Sequence, residues 1–377
     1  MRFRTASRPR MLLGLVLPFY NTACVLTRLP YFLCKLILFN RPWTRESRAV
    51  KTEQIARERF MRLANGFRAS SVILTAVEMG FFHQLAHHPQ DARELSANLG
   101  IVERGAVRVL RVLTAFGLVV YDGRLYRIHD DYLPLLSPEG EAYLGDICQH
   151  NYRLMKRWIN LDETLRTGRP PKRGPRDSAD LQSFILGMEN ISRRAAHDLK
   201  DGIGVPRPKT ILDLGSGPGT YSSAYLQQYD DVHVTLLDRP EVNQIARVIL
   251  EAYDDRITCI DGDMFEVDFG GPYDLIMLNN IIHSWGDDHN RELVTKTARS
   301  LTPGGRLAIK DFFTHTDRHG PEHATLFGIN MFLANEHAGV YSYEDAIAWG
   351  DAAGLQFERR FMVDSTSGAL VLRKGEI

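Results

Sequence analysis

The chain reads as an α/β protein, with a parallel sheet covered by helices in its C-terminal half and a helical module with a small hairpin before it. Three observations predict this. From Thr210 onward, short apolar runs alternate with amphipathic stretches, the pattern of a sheet with helices on both faces. The first run, TILDLGSGPGT (210–220), passes from apolar residues directly into a glycine-rich turn. The last two runs, LQFERRFMVD and ALVLRK, are joined by a link too short for a crossover, so they form an antiparallel pair.

Composition sets the bounds. The 377 residues suffice for two domains, and 44% hydrophobic with 24% charged content is ordinary for a globular chain. The net charge of zero implies no global attraction to nucleic acid. Cys24, Cys34, Cys148 and Cys259 form no C-x-x-C pair, so neither a zinc site nor a disulfide framework is indicated, and no metal is expected. Charge is uneven, however: residues 1–50 carry nine Lys/Arg against Glu46 alone.

In chain order, residues 11–39 are strongly apolar but are broken by Pro18, Arg28, Pro30 and Lys35, too short in any unbroken run to span a bilayer. A basic start before an apolar stretch resembles a signal peptide. Two other readings fit better: an interfacial segment at an anionic membrane surface through residues 1–40, or an arm packing on the body or on a partner subunit. From Lys51 the spacing of Ile55, Phe60, Leu63, Phe67, Ile73, Leu74 and Val77 is helical. Next come a short helix from Asp91 to Gly100, a second helix ended by Gly117, and a hairpin over Tyr121–Ile128 turning at Asp122-Gly123. This is a winged-helix pattern. Residues 51–140 hold eleven Lys/Arg and ten Asp/Glu, without the basic footprint of a DNA reader, so the module reads as a protein–protein element. Residues 141–200 are helices around a Pro/Gly-rich loop at Gly168–Asp177, with His150, Trp158 and Phe184 as core or pocket wall. GVPRPK (204–209) marks the next boundary.

Strands are expected at 210–214, 232–237, 256–260, 273–279 and 305–311, and helices at 220–229, 241–254, 288–301 and 343–353. Ligands bind such sheets at the carboxyl ends of the strands. The glycine loop is therefore a nucleotide-type cofactor loop, with a helix N-terminus behind it. Its glycines fall as G-x-G-x-G, with Thr220 where a dinucleotide fingerprint has its third glycine. Asp213 lies inside the first strand, Asp238 ends the second, and GDMF (262–265) follows the third.

Together, LDLGSGPG, LLDRPEV, GDMF, IIHSW and LTPGGRLAIKD resemble the two-domain S-adenosylmethionine (SAM)-dependent O-methyltransferases of class I, which include plant caffeate/flavonoid-type and bacterial natural-product and carotenoid enzymes. The resemblance runs from about residue 55 to 374. It implies a class I methyltransferase Rossmann-like sheet with a C-terminal antiparallel hairpin and a winged-helix dimerisation domain. The segments are then 1–50 as an extension, 51–140 as the dimerisation domain, 141–205 as a helical connector lining the substrate pocket, and 206–377 as the catalytic domain. It also implies a cytoplasmic homodimer acting on a small lipophilic or aromatic acceptor, with peripheral membrane contact through residues 1–40 as a further expectation.

The resemblance further implies site residues. Asp213, Gly215, Ser216, Gly217, Asp238, Arg239, Asp263, Met264 and Asn279 are expected at the cofactor, with Asn279 standing where plant relatives have Lys. His283 matches the catalytic base, Asp311 the first carboxylate that orients it, and Trp285, Asn330 and Asn335 the acceptor pocket. The second orienting carboxylate has no counterpart in HAGVYSYED (337–345), where Tyr341 and Glu336 are nearby candidates. A base is needed because a phenol titrates near ~10 and is protonated at neutral pH, whereas an imidazole accepts protons there. The same scaffold leaves C- or N-methylation, SAM binding without methyl transfer, and a non-catalytic winged-helix regulator as alternatives.

Overall fold

The computed structural model describes residues 45–171, 178–205 and 207–376, with side chains described at 52–171, 181–205 and 207–376. The extension at 1–44 and most of the Pro/Gly-rich loop lie outside the described residues, and the expectation of membrane contact through residues 1–40 lies there too. No helix among the described residues is long and apolar enough to cross a membrane.

The chain divides into two units at Gly66/Phe67. The described part of the first is helical, within α1 (Arg45–Glu78), with Ile55, Phe60 and Leu63 all more than half exposed. The second unit begins with a helical module comprising α2 (Phe81–His87), α3 (Ala92–Asn98), α4 (Glu103–Ala115) and the antiparallel pair β1 (Val119–Tyr121) and β2 (Tyr126–Ile128). Asp91 caps α3 by accepting from Glu94 N at 2.8 Å, a role its side chain suits. The hairpin turns over Asp122–Leu125, where Asp122 Oδ1 accepts from the backbone N–H of both Arg124 and Leu125. Phe81, Phe82, Leu95, Leu110, Leu113 and Val119 close this module's own core.

After α5 (Leu133–Leu136), α6 (Gly145–Trp158), α7 (Leu161–Thr167) and α8 (Ser178–Ile203) comes the sheet. His150 of α6 meets Phe184 of α8, their rings 5.1 Å apart. The strands are β3 (Thr210–Leu214), β4 (His233–Asp238), β5 (Ile257–Asp261), β6 (Tyr273–Asn279), β7 (Leu301–Asp311), β8 (Leu355–Met362) and β9 (Gly368–Lys374), in the order β5-β4-β3-β6-β7-β9-β8. The first five are parallel, whereas β9 runs antiparallel to β7 and β8. Between them lie α9 (Thr220–Gln228), α10 (Pro240–Ile249), α11 (Asp287–Ser300), α12 (Glu322–Phe332) and α13 (Tyr343–Ala352). The central strands are apolar on both sides because both faces are covered. Ile211, Leu275, Met277 and Ala308 join one core, and Leu212, Leu214, Ile276 and Leu278 the other.

Two boundaries differ from expectation. The helix expected at 241–254 is α10 followed by a 3₁₀ segment, Glu251–Arg256, kinked at Tyr253. β7 begins at Leu301 rather than 305: Pro303, Gly304 and Gly305 read as a turn, but here they form a strand start with irregular pairing to β6 and Gly304 at φ +74°.

Candidate active site

The site is built at the carboxyl ends of β3, β4, β6 and β7. Between β3 and α9 the chain makes the glycine turn, with Gly215 at φ +64°. A Cβ at Gly215 would stand 2.2 Å from Ile281 Cδ1, a movable side-chain end, so it is the left-handed backbone that calls for glycine here. Over Gly217 a Cβ would meet nothing within 4 Å, and the loop is open there. Asp238, at the end of β4, accepts from Gly217 N at 2.9 Å and from Arg239 N at 2.8 Å. Burial pushes its carboxyl above the usual range against those bonds. The Arg239 side chain turns outward to Glu241.

Asp213 is 1% exposed and meets only neutral donors, Ser222 Oγ at 2.7 Å and Asn279 Nδ2 at 3.4 Å. Burial pushes its carboxyl up to about 7. Beyond β5, Asp263 Oδ1 accepts from Phe265 N at 2.9 Å, and Lys296 of α11 holds this turn through the carbonyls of Met264 and Val267. Met264 packs beside the loop, its Cε 3.5 Å from the position of a Cβ on Gly215.

On the other side stands His283, in the one-turn 3₁₀ helix Ile282–Ser284 after β6. Its Nδ1 lies 2.8 Å from Asp311 Oδ1, and the Asp311 side chain is only 3% exposed. Asp311 also accepts from Phe312 N at 2.8 Å. Phe327 sets its ring edge against His283 at 4.8 Å, and Phe312 stacks obliquely on Phe327 at 4.4 Å. With Nδ1 committed to the carboxylate, Nε2 is the nitrogen left to accept a proton.

The turn carrying His283 is held through four successive carbonyls. Asn290 Nδ2 donates to Ile282 O (2.9 Å), Gly339 N to His283 O (2.9 Å), Asn335 Nδ2 to Ser284 O (3.1 Å) and Tyr341 Oη to Trp285 O (2.6 Å). Asn335 and Tyr341 thus support the backbone that carries His283. Glu336 faces outward beside His337. Trp285 packs on Phe265 at 4.8 Å, toward the Asp263 turn, and Asn330 is partly buried on α12. Sequence reasoning missed Asn290, Ser222 and Lys310, polar residues whose burial only the fold reveals.

Polar atoms left over by the fold show what the loop fits. Ser216 Oγ, Thr220 Oγ1 and Asn279 Oδ1 are buried without a hydrogen-bond partner among the described residues, all around the glycine turn. With Asp213 and Asp238 they suit a ligand with amine, hydroxyl and carboxylate groups, and SAM has all three. Comparison with known proteins agrees. The O-methyltransferase domain family matches residues 172–346 and the O-methyltransferase dimerisation domain residues 61–129, together more than half of the chain. The chain belongs to the O-methyltransferase family. It is similar to 3-hydroxy-5-methyl-1-naphthoate 3-O-methyltransferase of Streptomyces sahachiroi, at 28% identity over 72% of this chain and 81% of that one. It also resembles the tetracenomycin polyketide synthesis 8-O-methyltransferase of Streptomyces glaucescens, at 25% identity over 83% and 96%. In fold it matches the crystal structure of human N-acetylserotonin methyltransferase in complex with SAM, with a TM-score of 0.78 at 21% identity, over 85% of this chain and 98% of that one. This O-methyltransferase uses SAM as its cofactor and carries its family's dimerisation domain.

Proposed function

We propose that this O-methyltransferase acts on a hydroxyl of a small aromatic secondary-metabolite acceptor, with His283 as general base and Asp311 as the carboxylate that orients it. The observation that carries this is the 2.8 Å contact between His283 Nδ1 and the buried Asp311 carboxylate. It commits Nδ1 to the carboxylate and leaves Nε2 to accept a proton, which supports the role of a base. The Phe312 and Phe327 rings beside His283 suit a planar apolar acceptor. The relatives named for naphthoate and polyketide substrates support that class.

When bound, SAM supplies a methyl group on a cationic sulfur. Of this chain's residues, the backbone of Gly215–Gly217 with Ser216 would hold its amino-acid portion and Asp213 with Asn279 its ammonium. Asp238 would take the ribose hydroxyls, and Asp263 with Met264 the adenine. The Arg239 backbone closes this pocket through its bond to Asp238. His283 removes the proton of the acceptor hydroxyl as the oxygen becomes the nucleophile, and the Asp311 carboxylate stabilises the imidazolium that forms. Asn330 lines the acceptor side on α12, and Trp285 bounds the cofactor side.

The exposed Phe67, Val102 and Phe116 lie within the matched dimerisation segment and support a homodimer. Sedimentation at twice the 42.8 kDa chain mass is expected, and a monomer at micromolar concentration would contradict it. The catalytic reading is tested by His283→Ala, which is expected to keep SAM affinity while kcat falls about 10²–10⁴-fold. Unchanged turnover would assign the proton transfer elsewhere.

A further inference from the structure

Among the described residues, one cation at the edge of this site has no anion. Lys310, next to last in β7, is 5% exposed. Its Nζ donates to a neutral acceptor, Asn280 Oδ1, at 2.7 Å, and lies 5.6 Å from the ring centre of Tyr221 and 5.5 Å from that of Phe312. Among the described residues it forms no ion pair. An ammonium offers three donors, and a buried charge is normally both paired and fully hydrogen-bonded. Lys310 meets neither condition within the protein.

The ammonium is held in place from its neighbour. Asn280 adopts φ +59°, a left-handed backbone that is uncommon for a residue with a Cβ. From there its N–H donates to Lys310 O at 2.7 Å while its side-chain oxygen accepts from Lys310 Nζ. This double clasp sets where the charge stands.

Its surroundings belong to both halves of the site. Tyr221 is in the first turn of α9, directly behind the glycine loop. Phe312 touches Phe327, whose ring edge meets His283. Asn279 pairs with Lys310 across the β6–β7 ladder, and Asp213 pairs with Met277, two residues before Asn279. Because strand side chains alternate with period two, Asp213, Asn279 and Lys310 share one face of the sheet.

We propose that the Lys310 ammonium is a carboxylate-binding contact of the reaction site. The proposal rests on reading this end of the sheet as the place where cofactor and acceptor meet. SAM carries two cationic groups, the sulfonium and the ammonium, and one carboxylate; only the carboxylate complements Lys310. Asp213, buried on the same face without a cation, complements the ammonium. Two buried charges of opposite sign, with the Asn279 amide between them, match the two ends of an amino-acid zwitterion. An acceptor bearing a carboxylate and lying against Phe312 is the other source of the same chemistry.

Calorimetric titration of wild type, Lys310→Met and Lys310→Arg separates these sources, with thermal melting as a check that each variant folds. The probes are S-adenosylhomocysteine (SAH), SAM and decarboxylated SAM, then 3-hydroxy-1-naphthoate and 2-naphthol in the presence of SAH. Lys310→Met is expected to weaken SAH and SAM binding by about tenfold or more, as for loss of a charge-assisted hydrogen bond. Decarboxylated SAM should be unaffected, and Lys310→Arg should retain most of the affinity. A loss confined to 3-hydroxy-1-naphthoate would support the proposal with the acceptor as the source of the carboxylate. Equal losses with and without the carboxylate, or no loss for any probe, would overturn it and leave Lys310 a structural residue. A wild-type chain that bound no SAH would remove the reading beneath the proposal, and the proposal with it.

Discussion

Asp213 lies within β3 and Asp311 ends β7, two strands away in the same sheet; both are buried, at 1% and 2% exposed, yet their surroundings differ in kind. Asp213 meets a hydroxyl and an amide, with no cation, and burial pushes it up to about 7. Asp311 meets an imidazole and backbone N–H groups, a complete set without any ligand. On the proposed reading, the cofactor side is left electrostatically unfinished for a bound cation to complete, and the catalytic side is finished in advance with His283 held as the base. Pre-organised groups cost no rearrangement during reaction, whereas an incomplete site gives its unspent interaction to the ligand.

This contrast is open to attack by substitution. The largest effect after loss of His283 itself is expected for Asp311→Asn, which removes the orienting charge; kcat should fall about 10–100-fold with SAM affinity unchanged in titration. Gly215→Ala strikes the other side. A residue with a Cβ is strained at its φ of +64° by about 1–3 kcal/mol and must displace the end of Ile281, so SAM binding should weaken about tenfold while the His283–Asp311 pair stays intact. Asp213 should reveal itself through pH. Its folded carboxyl lies above the ordinary value of 3.8, so the stability it contributes is fully present below about 4 and is lost as pH rises through about 7. The ligand-free protein should therefore lose up to about 1.4 kcal/mol per pH unit from this group between those limits, and Asp213→Asn should flatten that slope in melting curves. SAM, which brings a cation, should bind more tightly over the same rise in pH. The smallest effect is expected for Tyr341→Phe, which leaves Trp285 O without its donor. About 1 kcal/mol of support under the base predicts roughly a fivefold loss in kcat.

The same contrast explains what was legible in the sequence. The cofactor side is local: strand, glycine turn and helix follow one another within TILDLGSGPGT, so spacing and side-chain type almost determine the geometry. Asp238 and Asp263 were readable because each ends or follows a strand. On the catalytic side, His283 and Asp311 were readable only through the resemblance, since the sheet joins residues 28 positions apart. The support beneath them was not readable at all. Asn290, Asn335 and Tyr341 come from different parts of the chain, and nothing in their local sequence says that they converge on the carbonyls of Ile282, Ser284 and Trp285. The absence of an acid at the second expected position was visible, but not that this stretch supplies Gly339 N and Tyr341 Oη to hold the turn. Lys310 was hidden by its motif: within LTPGGRLAIKD it reads as an unremarkable polar strand end, and only the burial of β7 on both faces makes its charge an anomaly.

The most direct test is the pH dependence of single-turnover methyl transfer to a phenol, compared between wild type and His283→Ala at saturating SAM. Without the base, the rate should depend on the phenol's own ionisation and rise about tenfold per pH unit from 6 to 9, approaching wild type only at the alkaline end. The wild-type rate should be far higher at neutral pH and should not follow that slope. Parallel profiles of similar magnitude for the two proteins would contradict the account and show that His283 does not take the proton.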